Sequence, residues 1–389
     1  MLVLMNSDKN KTLGKLITPK FINGGIRKSY SISIQNFSSK PPQNYKGYRQ
    51  YLVIGFDTEY QRVESKNTNE ETYYDNEILS YQYSCKVVDV DRKFTSEKWN
   101  GIILPESSHQ KDRLTISEFL EFAIGHGIEK FPHINFPREI YLVAHFTRAD
   151  IPGFKDFKDD NNNQRSNLNL ENIRNTFINV KQDIGITLHD HEDKNRLIKL
   201  DVKVRDTITL APTGKAKLED LGEVLDFKKI KLHKDENKEL NFKRNMKLFM
   251  KTDWIKFKEY AIRDAEICLL YTETMIHLYN EETGRFKLPI TLTQIGVDLI
   301  QQHWKKTGID PLEIVGKEEI KERYFSKKNN RYINQKKIVS KKNLYRVTDF
   351  ITECYHGGRN EQFWFGPSYN DVWYDYDLTS AYPSAMCLI

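Results

Sequence analysis

Cysteine is scarce: Cys85, Cys268, Cys354 and Cys387 are the only four in 389 residues, and no two stand in a C-x-x-C or paired Cys/His spacing. That argues against both a disulfide framework and a Cys/His zinc site, and it points to a reducing compartment. Long apolar runs are also missing. The best candidates, such as "EICLLY", are cut short by charge far below the ~20 residues a membrane helix needs, so no membrane partner is expected. No charge of one sign dominates: 60 Lys plus Arg stand against 54 Asp plus Glu, for a net +6. Anionic partners are therefore allowed without being demanded. Internal repeats are absent, and 39% apolar content over this length is enough for two domains with cores of their own.

Residues 1–45 are rich in Lys, Ser and Asn, and "RKSYSISIQNFSSKPP" is poor in acids. This segment is expected to be flexible, as a transit peptide or simply as a polar tail. After Pro41 and Pro42 the pattern changes. "YLVIGFD" reads as a buried strand ending in charge at Asp57; "EILSYQYSCKVVDV" and "EIYLVAHF" read as two more, and "TISEFLEFAIGHGI" as a helix. Such alternation gives an α/β or mixed class. Between Lys155 and Asn172 the composition falls to Lys, Asp and Asn, the mark of an exposed insertion. Helical spacing of Trp254, Phe257, Tyr260, Ala261, Ile267, Leu270 and Tyr271 predicts one helix from Asp253 to Asn280, stopped by Gly284 and Pro289. The domain boundary is placed there, giving 46–285 and 286–389. An amphipathic helix, "TQIGVDLIQQHWKK", and a basic polar link, "SKKNNRYINQKKIVSKKN", follow.

In "FDTEY", Asp57 and Glu59 are two apart in a strand and so point to the same side. Two carboxylates so placed repel unless a cation lies between them, and oxygen-only ligation suits Mg²⁺ or Mn²⁺. The "VAHFTRADIPGF" segment offers a further acid, Asp150, which can equally be a helix N-cap with Pro152 inside the first turn. In "EYAIRDAEI", Tyr260 and Asp264 are four apart and share a helix face; Glu259 and Arg263 allow an ordinary salt-bridged surface instead. Acids from three separate elements fit a two-metal phosphodiester hydrolase.

This set resembles the Exo I, Exo II and Exo III motifs of the ribonuclease-H-like 3'-5' proofreading domain of family B DNA polymerases. The resemblance implies Asp57, Glu59, Asp150 and Asp264 as ligands of two Mg²⁺ or Mn²⁺ ions, with Tyr260 orienting the attacking water. The family commonly carries Asn after the position matched by His145, where this chain has Phe146; an aromatic there can instead stack on a base of the single-stranded 3' end. "LDVKVRDTITLAP" lies where the family has a strand-contacting Ser/Thr-Leu element, matched loosely by Thr207 and Ile208.

Further along, Tyr355, Gly357 and Gly358 look like the Y-x-G-G motif of protein-primed family B polymerases, and paired glycines let a backbone approach phosphates closely. Asp377, Ser380, Tyr382 and Pro383 look like polymerase motif A, D-x-x-S-L-Y-P, with Ala381 for Leu. The resemblance implies Asp377 as a metal-binding catalytic acid, Ser380 at the triphosphate and Tyr382 beneath the deoxynucleotide sugar. No K-x-x-x-N-S-x-Y-G or D-T-D element follows, so the expectation is an incomplete palm that does not polymerise alone, as a fragment, a truncated gene or one part of a split protein. The kinship implied is with protein-primed polymerases of mitochondrial linear plasmids and related phages. Its partners would be primer-template DNA, deoxynucleoside triphosphates and a terminal protein, and its location a mitochondrion, with a cytoplasmic plasmid or a virus as the alternative. An autonomous 3'-5' exonuclease and a non-catalytic relic are the competing readings.

Overall fold

The computed structural model describes residues 30–39, 49–66, 72–90, 95–157 except 106, 108 and 109, 170–193 except 174–175 and 181–182, and 195–344 except 315 and 327–329, together with Val347, Phe350 and Glu353. Tyr355, Gly357, Gly358, Asp377, Ser380 and Tyr382 lie outside the described residues.

Five strands follow the first, β1 (Gln50–Lys66), in the central sheet: β2 (Thr72–Asp89), β3 (Trp99–Ile103), β4 (Glu139–Ala144), β7 (Ile184–His189) and β8 (Leu197–Asp206). Their spatial order is β3-β2-β1-β4-β8-β7, with a separate hairpin of β5 (Leu170–Ile173) and β6 (Thr176–Val180). β1 is antiparallel to β2 and parallel to β4, β4 is parallel to β8, and β7 is antiparallel to β8. The sheet is therefore mixed, and the class is α/β.

Helices cover both faces. On one side Leu52, Ile54 and Phe56 of β1 meet Phe119, Leu120 and Ile124 of α1 (Ile116–Lys130), whose N-terminus is closed by a reciprocal Thr115–Glu118 capping box. On the other, Tyr51 and Val53 meet Ile267, Leu269 and Ile276, which belong to a helix introduced below. Each fully buried aliphatic or aromatic side chain of this kind contributes about 1.5–3 kcal/mol.

Beyond β4 the chain makes α2 (Thr147–Asp150), and beyond β8 come α3 (Leu218–Val224), α4 (Glu236–Arg244), α5 (Met246–Thr252) and the long α6 (Trp254–Thr283). α6 starts at an Asp253 cap on the Lys256 amide and ends at Gly284, whose φ of 65° only glycine adopts at no cost. It lies very close to β1. A Cβ on Gly55 would sit 2.2 Å from the Ala265 carbonyl oxygen and 2.7 Å from the Leu269 amide nitrogen.

Two compact units divide the chain, residues 1–303 and 304–389. The first takes in most of α7 (Leu292–Lys306), tied down by Asp298, which accepts from Arg285 at 2.7 Å and from the Tyr279 hydroxyl. In the second, α8 (Pro311–Ile314) leads to an antiparallel ribbon of β9 (Lys317–Ser326) and β10 (Arg331–Ser340). Among the described residues no helix is long and apolar enough to cross a membrane.

Three expectations need correction. β1 does not end at Asp57 but continues to Lys66, because ladder pairing with β2 is a backbone property that tolerates the polar side chains beyond Glu59. The basic link is not a link: most of it is strand β10. Residues 30–39 are docked rather than flexible, for Ile32 is fully buried, Phe37 bridges to Phe136, and the Ile34 amide donates to Asp190 at 3.1 Å.

Candidate metal centre

Side chains alternate along β1, so Gly55, Asp57 and Glu59 all face α6 while Phe56 faces α1. Gly55 sets the spacing. With no Cβ between the two backbones, α6 comes close enough for Asp264 to meet the two β1 acids: one oxygen each of Asp57, Glu59 and Asp264 lies within 4.8 Å of the others. Glu59 is 8% and Asp264 5% exposed, and Asp57 is half-buried. Three acids from a strand and a helix thus converge, two of them buried and one half-buried.

Asp150 stands next to this cluster at the end of α2, beyond the point where β1 loses its pairing with β4 and keeps only that with β2. It is 4% exposed, and its Oδ1 accepts from the Thr58 amide at 3.1 Å and the Thr58 hydroxyl at 2.7 Å. Here the sequence expectation of a capping acid needs revision: Asp150 does precede a 3-10 turn, Ile151–Gly153, with Pro152 inside it, but its side chain makes no cap bond. The carboxylate is turned to β1 instead.

Four acids this close raise one another's proton affinity. Burial pushes Asp57 well above the carboxylate range, and Asp150, Glu59 and Asp264 push it further. Burial and then Asp264 raise Glu59 to about 8. Asp150 is also raised by burial to about 8, against the pull of its two Thr58 bonds. Asp264 is raised by burial and held down by Lys229, whose ammonium lies 2.5 Å from its Oδ2. Burial opposes the Lys229 charge, but Asp264, Asp57 and Glu59 outweigh it and keep the lysine cationic. One ammonium cannot neutralise four carboxylates.

The arrangement fits a bound divalent cation. Asp264 Oδ1 is buried without a hydrogen-bond partner, and such an orphan acceptor costs free energy unless a proton or a metal meets it. An all-oxygen set of this kind matches Mg²⁺ or Mn²⁺. Tyr260 sits one turn before Asp264, with Lys229 5.5 Å from its ring centre; burial and then Glu59 and Asp264 raise its pKa, so the phenol keeps its proton.

The structure also brings His145, Phe146 and Thr207 together. His145 Nδ1 lies 2.9 Å from the Thr207 hydroxyl, and burial lowers the imidazole pKa. Phe146 has φ 69°, the left-handed region, and the Arg148 guanidinium lies 4.2 Å from its ring centre. The bend is held by Asp206, which accepts from the Phe146 and Thr147 amides at 2.8 and 2.7 Å and from the Thr147 hydroxyl at 2.9 Å. Ile208 donates its amide to the same carboxylate at 3.0 Å.

Sequence reasoning missed Lys229, Thr58 and Asp206. Asp206 carried a usable signal, since "VKVRDT" ends a strand in an acid as "IGFDTE" appeared to. Lys229, in "DFKKIK", had none. Lys229 also lines a groove of about 360 Å³ with Lys217, Lys231, Lys243 and Glu239.

No family model matches the chain. It is 30% identical over 350 residues to the primer-independent DNA polymerase PolB of Escherichia coli, a match that takes in 86% of this chain and 37% of that protein. The chain therefore spans little more than a third of the relative's length. With an acid cluster fit for a divalent cation on a mixed α/β sheet, this similarity relates the chain to the DNA polymerases.

Proposed function

We propose that this chain is the 3'-5' exonuclease-bearing part of a family B DNA polymerase, with a ribonuclease-H-like domain that removes nucleotides from a single-stranded 3' end. One observation carries the proposal: Asp57, Glu59 and Asp264 converge within 4.8 Å, with Glu59 and Asp264 buried and Asp57 half-buried. Asp150 stands beside them, and a buried oxygen of Asp264 lacks a partner.

In this reading Asp57, Glu59 and Asp264, with Asp150 adjoining, hold divalent cations, which supply Lewis acidity to the phosphate and acidity to the attacking water. The chain's own groups do the rest. The protonated Tyr260 phenol is a hydrogen-bond donor beside the acids and orients the water. Lys229 supplies a fixed positive charge where negative charge grows on the phosphoryl oxygens. Water oxygen bonds to phosphorus, the 3' oxygen leaves and takes up a proton, and a nucleoside 5'-monophosphate is released. His145 and Phe146, both half-buried, form the adjoining surface for the last bases of the strand, whereas Thr207, expected from the sequence to touch the strand, is fully buried and acts behind them by holding His145.

The test is digestion of a 3'-labelled single strand with Mg²⁺ or Mn²⁺, beside the Asp57→Ala, Glu59→Ala variant. Metal-dependent loss of the 3' nucleotide by the parent alone is expected. No cleavage by well-folded protein with an intact metal site would sink the exonuclease reading.

The polymerase part of the proposal rests on the residues around Asp377 and on the PolB similarity. Motif resemblance favours priming by a protein hydroxyl, whereas the relative is described as primer-independent. Incubating the full-length polymerase with template, labelled nucleotides and no oligonucleotide separates the two. Label bound covalently to protein supports the first; protein-free labelled DNA supports the second.

A further inference from the structure

Net charge is concentrated in one short element. Between residues 317 and 342 there are ten Lys or Arg and three Glu, a net +7, while the whole chain carries only +6. Everything else together is thus very slightly acidic. The three glutamates all lie at the start of β9; from Arg323 to Lys342 there are eight basic residues and no acid.

This segment is the β9–β10 ribbon, and both its faces are open: of the β9 residues only Ser326 is buried. The register defines what each face presents. Phe325 lies opposite Tyr332, Arg323 opposite Asn334, and Lys321 opposite Lys336, all on one face. Phe325 and Tyr332 are 47% and 61% exposed with ring centres 5.3 Å apart, and Arg323 stacks 4.9 Å from the Tyr332 ring centre. Lys336 pairs with Glu319 at 2.7 Å, yet directly opposed lysines disfavour an isolated ribbon. An anion laid across the face would reverse that penalty.

Spacing narrows the choice of anion. Successive cross-strand pairs on one face are about 6.8 Å apart, twice the ~3.4 Å axial spacing of phosphates along one DNA strand. A two-stranded ribbon is also narrow enough for the major groove. We propose that the β9–β10 ribbon is a sequence-independent grip on duplex DNA, with Lys321, Arg323 and Lys336 on the phosphates. It is a binding site separate from the carboxylate centre and does not depend on whether that centre cleaves DNA. The choice of DNA among polyanions leans on the kinship with a DNA polymerase.

The experiment is fluorescence anisotropy of a labelled 20-base-pair duplex with the full chain in EDTA, from about 50 to 200 mM salt, so that no cleavage contributes. Replacing Lys321, Arg323 and Lys336 together by Gln is expected to weaken binding by ten-fold or more at low salt. It should also reduce the slope of log K against log salt by about 2–3, at ~0.9 for each phosphate no longer neutralised. Lys336→Gln alone should reduce it by about 1, and the charge-keeping Lys321→Arg, Lys336→Arg variant should bind as the parent does; these two keep the test valid if the triple variant misfolds. An unchanged slope in the Gln variants overturns the proposal. So does ribbon-dependent binding of phosphatidylserine vesicles with duplex binding untouched. Loss of single-strand binding alone in Tyr332→Ala, with the duplex slope unaltered in the Gln variants, would replace the duplex grip by a stacking platform.

Discussion

The carboxylate centre holds four acids, three of them buried, against one ammonium, whereas the β9–β10 ribbon holds its bases in open water. At about 4 Å and an effective dielectric near 20, two like charges repel by ~4 kcal/mol, and by only ~1 kcal/mol in bulk water. The same excess of one sign is therefore a strong constraint in the first region and a weak one in the second. Buried like charges must be relieved locally, by protons or by a small cation that fits between them. Exposed like charges persist without relief and act at range on any polyanion, within a Debye length of ~8–10 Å. On the readings proposed above, the first region selects a metal by geometry and the second a polymer by field.

The strongest way to break this comparison is Gly55→Ala. The new methyl meets backbone atoms of α6 at 2.2 and 2.7 Å, neither of which can swing aside as a side chain would. Overpacking of this kind costs about 3 kcal/mol or more, and α6 must move away from β1, taking Asp264 from Asp57. Denaturant unfolding should show the loss, and Mn²⁺ titration should show weakened binding, while duplex affinity of the ribbon stays as in the parent. Retention of both stability and Mn²⁺ affinity would show that the close approach does not set the site.

The pH dependence sharpens the comparison. Glu59 and Asp150 titrate at about 8 in the folded protein, whereas an unfolded chain releases those protons near pH 4. The folded state therefore binds more protons than the unfolded one between those limits. The stability this brings is complete below about pH 4 and is lost as pH rises through about 8. In EDTA, Tm should fall by several degrees between pH 5 and pH 8.5, and Mg²⁺ should restore it at the upper pH but not at the lower. Asp57→Asn with Glu59→Gln should flatten the curve. A Tm that Mg²⁺ leaves unchanged at pH 8.5 would mean that the cluster relieves its charge with protons alone.

Which parts of this were legible in the sequence follows from how local each rule is. The shared side of Asp57 and Glu59 is a period-two fact, and the shared face of Tyr260 and Asp264 is a period-four fact; both can be read from a few residues. Lys229 lies between helices and gains its meaning only when α6 brings Asp264 to it, 35 residues later in the chain. The extension of β1 past Asp57 was hidden because polar side chains say little about ladder pairing. The ribbon was hidden because "QKKIV" breaks the alternation that marks a half-buried strand; with both faces exposed there is no apolar face to see. Asn330, just before β10, did leave a trace, for it adopts φ 46°, a conformation asparagine tolerates.

The smallest effect concerns Phe146, which borders the centre and whose own burden is backbone strain. Its φ of 69° costs about 1–2 kcal/mol for an ordinary side chain and less for Asn. Against this, the Arg148 guanidinium over the ring returns about 0.5–1 kcal/mol. Relief of strain slightly exceeds the lost stacking, so Phe146→Asn should stabilise the protein by about 0.5 kcal/mol, with Mn²⁺ affinity unchanged because Asp206 holds the bend through backbone amides that Asn retains. Denaturant midpoints measure the sign. If Phe146→Asn destabilises while Phe146→Leu does not, the strain argument fails, and side-chain polarity at this bend, not its dihedral angle, decides the residue.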